Sequence, residues 1–283
     1  MGLFAGTVST QRAALSQDIP LAIALFAAIV GMYGIGFLVS RVLFRAPTGV
    51  AALSALAASA PAVPFIGPAV LGDLMGSSSA VPIGVASLII NLTVVPITIL
   101  LLSLSQKPSN DQSAAPVQQP AGASAQRSVL VSTLASTVQQ PIVWAPLVAF
   151  ALVLAGIHIP RLIVHSLSLL GSAAGGVALF ASGIILAAVP IRLSKSVLTM
   201  VTLKNIVQPG ILLVALLYLS YGRIASEAVL TTAIPMMPIV IMLATQYQLA
   251  QAESASGVFI SSVGSVVTMG VFIALTSIKH TAG

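Results

Sequence analysis

The sequence predicts an all-α integral membrane protein of about eight transmembrane helices, two of them broken by proline. Three observations predict it. Charged residues make up 6% of the 283 residues and hydrophobic ones 58%, whereas roughly a quarter of a soluble domain is charged. The apolar residues gather in runs of about 20, the length that crosses a bilayer. Two of the runs, residues 55–74 and 231–247, suit lipid in composition yet carry prolines that forbid a continuous helix.

In the first of these runs Pro61, Pro64 and Pro68 stand among Gly67 and Gly72; in the second, Pro235 and Pro238 are three apart. Proline deletes a backbone donor, and its ring presses on the carbonyl four residues back. A carbonyl freed in hydrocarbon finds no water, so broken backbone survives there only inside protein or around a wet cavity. Two such segments in matching places of two halves point to the substrate site of a transporter.

In chain order, residues 19–44 form the first span, with Gly31, Gly34 and Gly36 allowing close helix packing and Arg41 and Arg45 at its end. The broken span 51–71 follows, then a short loop around Asp73 and Ser77–Ser79. Residues 81–104 form the third span, which holds Asn91, Thr93 and Pro96. Residues 105–140 are rich in Pro, Ser, Gln and Ala without apolar periodicity, so they read as a flexible loop dividing two halves. The second half opens with 141–159, which carries the interfacial Trp144, and 167–189, whose GSAAGG run is a packing seam. Spans 197–221, the broken 228–249 and 257–278 complete the chain. The expected organisation is therefore 1–104, the loop 105–140, the helix pair 141–189, and 190–283. Residues 1–18 lack the charged and apolar regions of a signal peptide, and Gly2 opens no lipidation signal.

The net charge of +6 comes from single Lys and Arg residues scattered between spans, which suits membrane topology and excludes a nucleic-acid surface. Alternating sides puts Arg41, Arg45, Lys107, Arg127, Arg192, Lys195 and Lys204 on one face, against Arg12, Arg161, Arg223 and Lys279 on the other. The richer face is expected to be cytoplasmic, which puts both termini outside. With no cysteine there is no disulfide or thiolate chemistry. His158, His165 and His280 sit near span ends without carboxylates at ligand spacing, and no phosphate-cradling loop occurs. The expectation is therefore no enzyme, no metal and no cofactor.

Polar residues within spans carry more. Asn91 needs a partner in hydrocarbon, supplied either by a neighbouring helix or by a site that it lines. Ser59 beside the first break serves a cavity or caps its own backbone. Lys204 and Gln208, four apart, share a helix face, and Lys204 is expected to snorkel to the headgroups. Gln246 and Tyr247 follow the second break. Ser261, Ser262, Ser265 and Thr268 bring hydroxyls to the last span, on a wet face or a packing face. A broken helix presents one N-terminus and one C-terminus at mid-membrane, the first attracting anions and the second cations. Two breaks crossing in opposite orientation build a polar site for a compact organic anion.

The run AIPMMPIVIMLATQYQLAQAESASGVFISSVGSVVT at 233–268 resembles the closing region of the auxin efflux carrier family. Residues 51–102 are similar to its bacterial malonate-transporter branch, and the Asn91-Leu-Thr-Val-Val-Pro96 stretch and residues 176–186 also fit. The resemblance implies an inverted-repeat transporter fold of two five-helix repeats. In it, helices three to five and eight to ten form a mobile transport domain around a helix crossover, and the others form a scaffold. By motif this chain matches helices three to ten, which leaves the first two missing. The alternative is therefore an N-terminally truncated fragment that transports nothing. Where the family often has asparagine at the first break stands Ala62, and Pro68 is one place before the usual proline.

The resemblance thus implies a secondary carrier of a small organic anion, such as malonate, in the cytoplasmic (inner) membrane. Pro61, Pro64, Pro68, Pro235 and Pro238 would shape the crossover, and Ser59, Asn91, Gln246, Tyr247 and Ser262 would line it. The expected partners are the anion, membrane lipid, a second copy of the chain in a homodimer, and a coupling ion, either H+ or Na+.

Overall fold

In a computed structural model of the chain, the structure describes residues 19–105, 192–218 and 222–280, with isolated positions between 148 and 184. Residues 106–147, and with them most of the predicted loop, lie outside the described residues, as do Trp144, His158, His165 and the GSAAGG run.

The described residues form helices in two sets. The first comprises α1 (Ile19–Val42), α2 (Thr48–Ser59), α3 (Val63–Met75), α4 (Ala80–Ile89) and α5 (Val95–Ser105). The second comprises α6 (Lys195–Thr202), α7 (Gln208–Tyr218), α8 (Gly222–Ala233), α9 (Ile239–Gln246) and α10 (Gln251–His280). Each set is a long helix, a helix broken in the middle, and a second long helix. Four helical stretches among the described residues are long and apolar enough to cross a membrane: Ile19–Val42, Ala80–Ser105, Lys195–Ala215 and Gln251–Thr276. The two broken spans appear as the pairs α2/α3 and α8/α9.

Two of the long helices widen in the middle into a π-helical turn, at Ile90–Val94 between α4 and α5 and at Leu203–Val207 between α6 and α7. A proline follows each turn by two residues, Pro96 and Pro209. The proline ring crowds the carbonyl four residues back, at Leu92 or Asn205, and the helix relieves the clash by taking in an extra residue. Asn91 and Lys204 hold the same place in these turns, five residues ahead of the proline.

The polarity of the body is that of a membrane protein. Ser40, Ser59, Thr98, Lys204, Asn205, Gln208, Thr231, Thr232 and Ser261 are buried, while Ile23, Leu38, Val214, Val263, Val266 and Val267 face outward. Polar groups kept inside and aliphatic ones outside suit a hydrocarbon solvent. The inner helices pack tightly. A Cβ on Gly36 of α1 would lie 2.9 Å from Ala58 Cβ and 3.2 Å from Ala55 Cα on α2, whereas Gly31 and Gly34 have nothing within 4 Å. Of the three glycines expected to permit close packing, only Gly36 does so. Gly36→Leu should therefore force α1 off α2 and destabilise by roughly 1–3 kcal/mol. Gly34→Leu should leave the thermal unfolding temperature of the purified protein unchanged.

One end of the body gathers the end of α1, the starts of α2, α6 and α10, and the end of α5. A Cβ on Gly49 would strike both Ser105 and Leu249. There Arg41 Nη1 donates to Ala46 O at 2.7 Å and closes the α1–α2 turn.

Candidate functional site

The two breaks meet. Residues Ala60–Ala62 and Pro235–Met237 lie antiparallel, bridged at Pro61 and Met236. Ala62 N donates to Pro235 O at 2.8 Å and Met237 N to Ala60 O at 3.0 Å. The sequence dictates which groups are available for this pairing. Both breaks carry Pro-x-x-Pro, Pro61/Pro64 and Pro235/Pro238. In a continuous helix Ala60 O would accept from the nitrogen of residue 64 and Ile234 O from that of residue 238, but both are prolines with no hydrogen to give. Each break therefore frees carbonyls in a dry interior, and they must find donors elsewhere.

Three side chains complete the set. Lys204, fully buried in the second π turn, donates from Nζ to Thr232 O at 2.7 Å and Ile234 O at 2.9 Å. Gln208 Nε2 donates to Ser59 O at 2.9 Å and to Ala28 O at 3.3 Å, joining α1, α2 and α7. Its Oε1 is buried and has no partner among the described residues, and Gln208 lines a groove of about 440 Å³ between α1 and α7. Met236 N, released from the helix, donates to Ser261 Oγ at 2.9 Å. Ser261 in turn donates to Asn205 Oδ1 at 2.7 Å, and Asn205 Nδ2 donates to Ser261 O at 2.8 Å. The second π turn and α10 thus clasp the crossover from outside. A narrow cleft of about 50 Å³ between α2, α6 and α10 runs to Met236. Glu253 lines this cleft, and its carboxylate is 3.5 Å from Arg192.

The residues singled out from the sequence fall in several places. Pro61 and Pro235 are in the paired strands, Pro64 is in the first turn of α3 and Pro238 is the residue before α9. Pro68 stands inside α3, which continues through it, so it does not shape the break. Ser59 is buried at the end of α2, where its hydroxyl donates back to Ala55 O at 2.8 Å; its contribution to the crossover is its carbonyl. Asn91 donates to Ser87 O at 2.8 Å within its own helix, and no hydrogen bond joins it to the crossover.

Gln246 and Tyr247 lie at the far end of α9, roughly 12 Å along the axis from Pro238. There Tyr247 pairs with Ser103 at 3.0 Å, and Gln248 and Ala250 turn the chain with positive φ. Ser262 bonds back to Val258 O; its neighbour Ser261 reaches the crossover. Lys204 overturns its expectation. It does not snorkel, because carbonyls orphaned by proline offer its ammonium a better berth than the headgroups, and it leaves the tally of surface charge.

Crossed, proline-broken helices held by buried polar side chains in an apolar helical body define a membrane transport protein. The sequence matches the family described as Membrane transport protein over residues 1–273, and the chain belongs to that family, the auxin efflux carriers. It is 28% identical over 274 residues to the uncharacterized transporter YfdV of Escherichia coli (strain K12), covering 96% of this chain and 82% of that protein. The same figures hold for its counterparts in Escherichia coli O157:H7 and Shigella flexneri.

Proposed function

We propose that the chain is a secondary active carrier that moves a small organic anion, malonate or a related dicarboxylate, across the cytoplasmic membrane by alternating access. The observation that carries this reading is the antiparallel pairing of Ala60–Ala62 with Pro235–Met237. A break in each set of helices, meeting head to head, brings four helix ends to one place. The two carbonyl ends, of α2 and α8, are already occupied by Gln208 and Lys204. The two N-terminal ends, of α3 and α9, lie beside them, and the dipole of each favours negative charge. Lys204, bound to the carbonyl end of α8, offsets the negative helix end that would oppose them. The field at the crossover is therefore positive, which suits an anion.

The repetition of long helix, broken helix, long helix supports two inverted repeats, with the crossover rocking as one body against the rest. Arg41, Arg45, Arg192 and Lys195 cluster at the end where the cleft opens, which supports that end as cytoplasmic. The test is uptake of radiolabelled malonate by proteoliposomes holding the purified chain. Saturable uptake, competed by other short dicarboxylates and not by neutral solutes, is expected. Absence of uptake for malonate and every mono- and dicarboxylate tried would overturn the reading.

A further inference from the structure

We propose that the carbonyl end of α8 is an alkali-cation site that the protein fills with its own ammonium, so that Lys204 is a tethered cation and no free Na+ or K+ enters there. The site is created by sequence. Ile234 O loses its helical donor because residue 238 is proline, and Thr232 O loses its own because Met236 N turns to Ser261. Two uncompensated carbonyls at a helix C-terminus carry partial negative charge, and in a dry interior they form the kind of oxygen cage that binds a monovalent cation in carriers with broken helices. Lys204 Nζ sits 2.7 and 2.9 Å from these oxygens.

Among the described residues no carboxylate pairs with the Lys204 amino group, and its hydrogen-bond partners are the two carbonyl oxygens. At the matching end of α2 the donor to Ser59 O is the neutral amide of Gln208, so the charge belongs to one break only. A fixed cation makes a mobile one unnecessary. At this break, substrate movement is consequently not coupled to Na+.

The test is thermal unfolding of the purified protein in sodium, potassium or choline chloride at equal ionic strength. The wild type should unfold at one temperature in all three salts. Lys204→Ala empties the cage and should unfold at a lower temperature in choline, then recover about 2–4 °C in sodium or potassium. Lys204→Ser, which adds a hydroxyl oxygen to the same cage, should behave alike and serves if the alanine variant does not fold. Variants insensitive to alkali cations, or a wild type stabilised by sodium or potassium over choline, would overturn the assignment. Because the assay reads cation binding and not uptake, either outcome leaves the transport reading to its own test.

Discussion

Replacing Ala62 by proline should abolish transport and destabilise the protein by about 1–3 kcal/mol, the penalty of a buried backbone group left without its partner. The variant is informative because the backbone at Ala62 has φ −71°, already within the range of proline, so no new strain is imposed on residue 62 itself. What changes is the donor. Ala62 N now gives its hydrogen to Pro235 O at 2.8 Å. A ring carbon in place of that hydrogen removes the bond and pushes the two strands apart where they are closest. Pro235 O then has no water to turn to. Ala62→Gly keeps the N–H and should retain most of the activity. Uptake by proteoliposomes and thermal unfolding, measured on both variants, check the pair. If Ala62→Pro transports as well as Ala62→Gly, the pairing of the two breaks is not what holds the carrier together.

The breaks were legible in the sequence because proline acts locally: a missing hydrogen and a ring clash need no knowledge of the rest of the chain. The apolar spans were legible for the same reason, and α1 and the Ala80–Ser105 stretch lie within two residues of their expected bounds. What the breaks do to distant residues was not legible. Lys204 read as a surface lysine since lysines in spans ordinarily reach for water, and nothing in its own neighbourhood reveals that Pro238 has freed a carbonyl within its reach.

A signal did exist. Asn91 and Lys204 both stand five residues before a proline that opens a π turn, and at Lys204 that turn lies beside the crossover. Gln246 and Tyr247 show how sequence proximity and spatial proximity part. They are close to Pro238 in sequence, but α9 is a rigid helix and carries them to the other end of the half-span. Between Ser261 and Ser262 the choice turns on one residue, about 100° around a helix. Only the position of Met236 N, set by the long-range pairing, decides it.

Gln208→Glu should be the more damaging of two substitutions at one position. Gln208 is 1% exposed, and its amide nitrogen faces two carbonyls, Ser59 O and Ala28 O. Leucine there removes the donor and leaves Ser59 O unpaired, a loss of about 1–3 kcal/mol. Glutamate also removes the donor, and it puts a charged acceptor against the same carbonyls in a medium where an unpaired ion is destabilising by about 3–5 kcal/mol. A buried carboxylate escapes either by taking up a proton, which costs free energy of neutralisation, or by pairing with Lys204, four residues back across the π turn. That pairing strips Thr232 and Ile234 of the donor that now serves both. Ionised glutamate therefore opens the crossover, from the α2 side when unpaired and from the α8 side when paired with Lys204. The expected order of unfolding temperatures is therefore wild type, then Gln208→Leu, then Gln208→Glu, with no measurable uptake by the last. A glutamate variant as stable as the leucine variant would mean that the amide at 208 does not hold the end of α2.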